Sequence, residues 1–188
     1  GIPVKREFCK SIIRSRLRLS YEQALKALQT PDGAGYPAAN MSAEAVAIVK
    51  KVGELSRQIR ARRFAAYALD MDMPEYEIIM GADGMISEIR QHFTDPSHQL
   101  IEECMIAANE AVDLELSGRG YELLRRVHEP PKPDKIRELT GLLISLGFQP
   151  GDLTKRRLLA EFLKKVKGHP LEYEAMLMTL KSMKRAMY

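Results

Sequence analysis

The stretch Ser97-His98-Gln99-Leu100-Ile101-Glu102-Glu103-Cys104-Met105-Ile106-Ala107-Ala108-Asn109-Glu110-Ala111-Val112 has the pattern of a long, largely apolar helix. Ile101, Cys104, Met105, Ala108 and Val112 recur at i, i+3, i+4, i+7 and i+11, which places them on one helical face. Leu100, Ala107, Ala111 and Leu114 widen that face, so the spacing predicts a helix that is mostly buried. Glu102, Asn109 and Asp113 fall along one edge of the face, while Glu103 projects away from its centre. Carboxylates at such an edge need solvent or a defined partner. Asp95-Pro96-Ser97 supplies the start, with Asp95 or Ser97 as cap, and Gly118 and Gly120 supply the stop.

Downstream the pattern stays helical. Tyr121 to His128 reads as a short strand, followed by Pro130, Pro131 and Pro133. Asp134 opens a helix carrying Ile136, Leu139, Leu143 and Leu146, with Gly147 as its C-cap. Thr154 to Lys167 is a further helix, stopped by Gly168 and Pro170. Leu171 to Tyr188 is the last, with a stripe of Met176, Leu177, Leu180, Met183 and Met187 that reads as core.

Upstream, residues 4–19 read as extended. Ile13, Leu17 and Leu19 point one way, and Arg14, Arg16 and Arg18 the other. Three guanidiniums on one face fit either a row of ion pairs or a track for phosphates. Ser20 with Gln23 forms a capping box for a helix striped by Tyr21, Ala24, Leu25 and Leu28. Thr30 to Asn40 is a loop. Ser42 caps a helix lined by Val49, Val52, Leu55 and Ile59, which ends in a basic cluster near Arg63. Phe64 to Met73 looks extended. Gly81-Ala82-Asp83-Gly84 between Tyr76–Met80 and Met85–Ile89 signals a hairpin. Asp70, Asp72, Glu75 and Glu77 read as the wet face of extended chain rather than as a metal site, since no His or Cys adjoins them. A strand-rich first half and a helical second half predict an α+β fold: a small, mainly antiparallel sheet wrapped by about five to six helices.

Composition bounds the function. At 188 residues, 45% apolar and 29% charged, the chain suits one globular domain or part of a larger one. With no Trp, seven Tyr and five Phe, any platform for stacking bases is sparse. Lys and Arg exceed Asp and Glu by four, which permits a polyanionic partner without requiring one. Cys9 and Cys104 fit no metal or redox spacing, and two thiols without a disulfide framework predict a reducing cytoplasm. No apolar run approaches membrane-spanning length. The chain opens abruptly at Gly1-Ile2-Pro3 and closes at Tyr188 inside a helical pattern, as if cut from a longer protein at both ends.

Four motifs, in order, resemble the catalytic domain of the ribonuclease II and ribonuclease R family, the RNB domain. They are Ile12-Ile13-Arg14-Ser15-Arg16-Leu17-Arg18-Leu19-Ser20-Tyr21, Ser97 to Asn109, Arg126-Val127-His128-Glu129-Pro130-Pro131, and Ser182-Met183-Lys184-Arg185-Ala186-Met187-Tyr188. The His98-to-Met105 run is nearer the ribonuclease R branch. The resemblance implies a 3′-to-5′ exoribonuclease that threads single-stranded RNA and releases nucleoside monophosphates by magnesium-assisted hydrolysis. It also implies that residues 1–188 are a middle portion of that domain. The family's metal-binding aspartates precede the region matching Gly1, and its Arg-rich motif follows Tyr188, so no catalytic residue and no magnesium ligand is expected here. What carries over is RNA contact. Tyr21 matches a tyrosine near bound RNA, and Glu102 or Glu103 a glutamate on the central helix. Helical geometry favours Glu102, which lies beside Asn109, and Arg14, Arg16 and Arg18 become candidate phosphate contacts along the channel wall. Tyr21 fits a first-turn core tyrosine equally well. The alternative to the enzyme segment is a non-catalytic RNA-binding or structural module that kept the fold. If absent strands complete the sheet, an apolar edge is left to meet the missing parts of the domain or a second copy.

Overall fold

The computed structural model describes residues 5–31, 41–71, 73–92 and 94–188. In chain order the elements are α1 (Tyr21–Gln29), α2 (Ala43–Ala65), β1 (Glu75–Met80), β2 (Ile86–His92), α3 (Pro96–Gly118), α4 (Pro133–Ser145), α5 (Arg156–Val166) and α6 (Glu172–Ser182). Among the described residues this is the expected α+β content, six helices with one antiparallel pair of strands. The chain divides into two compact units, Gly1–Arg62 with Thr94–Glu122 and Arg63–Phe93 with Leu123–Tyr188.

The first unit packs α1 against α3. Ser20 starts α1 through the reciprocal box the sequence signals: Gln23 N–H donates to the Ser20 hydroxyl at 3.2 Å, and the Gln23 side chain accepts from Ser20 N–H at 2.9 Å. Ser42 caps α2 through its hydroxyl alone, accepting from Ala45 N–H at 3.2 Å. The buried face of α2 is made small by Gly53 and Ser56. A Cβ on Gly53 would sit 2.4 Å from Leu28 Cδ2, so the bare backbone admits the α1 leucine. That close approach offsets the roughly 1 kcal/mol helix-propensity cost of an interior glycine. Ala27, Met41 and Val46 form a small core that Leu17, Leu19 and Val49 cover.

The second unit holds the larger core. Ile136, Leu139 and Leu143 of α4 meet Leu159, Phe162, Leu163 and Val166 of α5 and Ala175 and Met176 of α6. Gly147 turns the chain after α4 at φ 88°, the left-handed conformation that glycine adopts without a Cβ penalty. Its N–H donates to Ile144 and that of Phe148 to Leu143, which satisfies the last carbonyls of the helix. Phe148 then meets Phe162 edge-on at 5.8 Å. The hairpin pairs Ile78 with Ile89 and Met80 with Ile86 across a bulge, and all four side chains stay more than half exposed.

Several expectations are corrected. Of residues 4–19, the described ones, 5–19, form no strand, because no second described strand pairs with them, so the first half is not strand-rich among the described residues. Phe64 and Ala65 belong to α2, and a turn follows. Tyr67, at φ 63°, takes the left-handed position there without being glycine, which is why no stop signal showed. Tyr121–His128 contributes only one bridge, Val127 with Met187. In α6, Met176 is core but Leu180 is exposed, as is Met187 beyond the helix. The largest correction concerns α3. Its buried stripe is Ser97, Leu100 and Glu103, while Ile101, Met105 and Val112 of the predicted core face are exposed, Met105 by 59%. The periodicity reports an apolar face correctly, but the described residues leave much of it open. Asp72 and residues 32–40 of the predicted loop lie outside the described residues.

Candidate nucleic-acid interface

Asp95 and His98 fix the start of α3 and, through it, the ring of Tyr21. The Asp95 carboxylate accepts from Ser97 N–H at 2.7 Å, from the Ser97 hydroxyl at 2.5 Å and from His98 N–H at 3.3 Å. Burial pushes its pKa up, but these hydrogen bonds outweigh burial and hold the carboxyl below its usual range. His98 Nδ1 lies 3.1 Å from the same carboxylate. The imidazole, so placed, stacks on Tyr21 with ring centroids 3.9 Å apart and planes 15° from parallel. Tyr21 remains 47% exposed, so its stacking leaves ring surface open.

Tyr21 lines a groove of about 820 Å³ in the first unit. Arg18, Leu19 and Ser20 enter it from the extended segment, Val49 and Val52 from α2, and Leu100 and Ile101 from α3. The lining is mainly apolar, with one guanidinium, one phenol, the Gln23 carboxamide and the Ser20 and Ser97 hydroxyls. An apolar slot with few polar groups and an aromatic edge can take a planar base, while Arg18 can meet a phosphate. Arg14 and Arg16 are exposed on the same segment but do not line the groove.

The two glutamates of α3 separate sharply, and not as helical geometry alone predicts. Glu103 does project away from the Ile101–Met105–Val112 face, but into the unit rather than toward solvent. It is fully buried and pairs with Arg60 of α2 at 3.3 Å. Glu102, next to the groove residue Ile101, is exposed, and so is Asn109 two turns on. The structure thus brings Tyr21 and Arg18 together at one groove with the start of α3. It leaves Glu102 and Asn109 on the α3 surface and takes Glu103 inside. Two contributors carried no local signal. Arg60 sits 43 residues from its partner, and His98 becomes informative only once α1 is placed against α3. Among the described residues no three His, Cys, Asp or Glu side chains gather as metal ligands do. Asp70, one of the carboxylates weighed for that role, instead pairs with Lys167 at 2.8 Å.

The sequence profile of the RNB domain matches residues 2–188. The chain belongs to the RNB domain family. Ribonuclease R of Aquifex aeolicus is 33% identical over 183 residues, 95% of this chain and 25% of that protein. Ribonuclease R of Thermotoga maritima is 32% identical over 192 aligned positions, 100% of this chain and 26% of that protein. The solved structure of Mycoplasma genitalium RNase R in complex with ribose methylated single-stranded RNA matches with a TM-score of 0.81 at 25% identity, covering 91% of this chain and 26% of that one. The same enzyme in complex with double-stranded RNA matches with a TM-score of 0.80 at 25% identity, covering 91% and 30%. This RNB chain thus spans about a quarter of the length of the ribonuclease R relatives it matches.

Proposed function

We propose that this RNB chain is an RNA-contacting segment of a 3′-to-5′ exoribonuclease of the ribonuclease R kind. In this reading it holds a nucleotide of single-stranded RNA in the Tyr21 groove and supplies no metal ligand. The observation that carries the reading is the Tyr21–His98 stack beside Arg18, in a chain whose relatives are ribonucleases. Tyr21 offers a face or its hydroxyl to a base, Arg18 a fork to a phosphate, and Glu102 an acceptor for a ribose hydroxyl. Only a ribose hydroxyl separates RNA from DNA at such a site. Arg14, Arg16 and Asn109 extend the contact surface as secondary contributors. Magnesium, where the whole domain uses it, would assist hydrolysis from ligands outside the described residues. Glu103 has no part in RNA contact in this reading; its carboxylate belongs to the Arg60 pair.

Binding measured by fluorescence anisotropy tests this. The chain should bind oligouridylate more tightly than oligodeoxyuridylate, should release it as salt rises, and should not shorten it when magnesium is added. Tyr21→Ala should weaken binding by about 1–3 kcal/mol, the worth of one stacked base. Cleavage of RNA by the purified chain would refute the absence of a metal centre, and equal affinity for both polymers would refute ribose contact. A non-catalytic binding module would give the same profile, but the reading frame around it would lack an aspartate cluster.

The open apolar side chains of α3 and the hairpin support burial against further protein surface, either the rest of a larger domain or a second copy. The free thiols of Cys9 and Cys104 suit a reducing compartment such as the cytoplasm. No helix among the described residues is long and apolar enough to cross a membrane.

A further inference from the structure

We infer that the second unit carries its own binding surface for the phosphate backbone of RNA, in a basic groove beside the Val127–Met187 bridge; this rests on the proposed RNA-contacting role. The groove encloses about 1100 Å³ and is built from segments distant in sequence. Two backbone hydrogen bonds, of 2.7 and 2.9 Å, tie Val127 to Met187 and fix where the flanking side chains emerge. Arg126 and His128 come from one side of that bridge, and Lys184 and Arg185 from the other. Arg156 of α5 and Lys181 of α6 add to the rim.

How these cations are held matters more than their number. Arg156 Nε donates to the Tyr67 carbonyl at 3.0 Å, a neutral partner that orients the guanidinium and leaves its charge intact. Arg126 lies over the Tyr188 ring at 6.0 Å, again held by an uncharged group. Lys181 and Arg185 are exposed and have no acidic partner among the described residues. Lys184 alone is paired, with Glu129, which is the only carboxylate lining the groove among the described residues. Arg63 lines it as well and has a partner of its own. Six cations against one carboxylate give a formal surplus of five, beside a formal net charge of +4 for the whole chain. The remaining sequence is therefore close to balanced, and the excess sits in one concavity.

Leu69, Met71, Leu159 and Met183 make apolar walls, which focus the field of the cations into the groove. A patch of solvated lysines would scatter its charge over a convex face and pair part of it. Here two arginines are pre-oriented by neutral partners with planar forks available to phosphate oxygens. No Phe, Tyr or Trp lines the groove among the described residues, so its recognition is of charge rather than of bases, and it is indifferent to nucleotide sequence.

The test measures binding of labelled oligouridylate to the whole chain across a salt series. It compares Lys181→Glu/Arg185→Glu with the neutral pair Lys181→Gln/Arg185→Gln, and Tyr21→Ala is run in parallel. Circular dichroism checks that each variant keeps its fold, and the neutral pair carries the test if the charge-reversed pair does not. The inference predicts affinity reduced on the order of tenfold at low salt for the reversed pair. It also predicts a salt slope smaller by about 1.4 for either pair, some 0.7 for each phosphate no longer neutralised. Unchanged affinity and slope, with Tyr21→Ala still weakening binding, would overturn the groove and leave the RNA reading standing. Absence of any RNA binding at low salt by the unmodified chain would overturn the RNA reading, and the groove with it. Binding of polyglutamate that these substitutions abolish, with RNA binding unaffected, would reassign the groove to an acidic protein and overturn its assignment to RNA.

Discussion

Arg60 and Glu103 show how one buried charge reorganises the reading of a helix. A glutamate inside a unit is retained only with a counter-charge, and removing one partner of such a pair is far costlier than never having built it. Arg60→Ala should lower stability by about 3 kcal/mol, visible as a lower denaturation midpoint with an unchanged slope against denaturant. The double replacement Arg60→Met with Glu103→Leu should recover most of that loss, because an apolar pair of similar volume needs no counter-charge. A double-variant loss equal to the sum of the two single-variant losses would show that the pair is not coupled. Asp95 behaves differently, as a partly exposed cap. Asp95→Ala should cost about 1 kcal/mol at neutral pH. The folded carboxyl titrates below its ordinary value, so its contribution is complete above about pH 4 and disappears as pH falls through the folded pKa. The difference in thermal midpoint between native and Asp95→Ala protein should therefore shrink in acid and stay constant from about pH 5 to pH 7.

At the scale of elements, local chemistry was legible wherever the sequence satisfied its own backbone. The Ser20–Gln23 box, the Asp95 cap, the Gly147 stop and the turn between β1 and β2 were all readable, because each is decided within four or five residues. Elements that depend on distant partners were not. Residues 5–20 have strand alternation but no described strand to pair with, and Tyr121–His128 keeps one bridge. The end of α2 shows the same limit from the other side. Ala68 N–H reaches the Arg63 carbonyl and Tyr67 N–H that of Phe64, the two bonds of a glycine-type stop, with Tyr67 at φ 63°. Tyr67→Gly should relieve the left-handed strain and raise stability by about 1 kcal/mol. The Arg156 contact should survive, because it is made to the Tyr67 carbonyl. A lower thermal midpoint for this variant would mean that the phenol ring contributes more than the backbone conformation costs.

For the whole molecule, the face of α3 shows what one chain can and cannot say about itself. Its apolar periodicity was plain, and so was the presence of RNB motifs, yet the direction the helix turns was not. Orientation is fixed by what covers a face, and here Leu100 and Glu103 found cover while Ile101, Met105 and Val112 did not. An exposed face of this kind should make the chain associate as its concentration rises in sedimentation velocity, and Met105→Lys should suppress the association. A concentration-independent monomer would show that the open face tolerates water. The candidate site was half legible for the same reason. Tyr21 and Arg18 sit at a motif boundary that the sequence marks, whereas the stack on His98 exists only because α1 packs on α3.

The most direct measurement is photo-crosslinking of the chain to single-stranded RNA containing 4-thiouridine, with the attached residues mapped by mass spectrometry. The account predicts adducts at Tyr21 and in the peptide around Ile101–Glu102, absent in Tyr21→Ala and competed by RNA but not by DNA. Adducts confined to other surfaces, with the Tyr21 and Ile101–Glu102 peptides unmodified at saturating RNA, would contradict it.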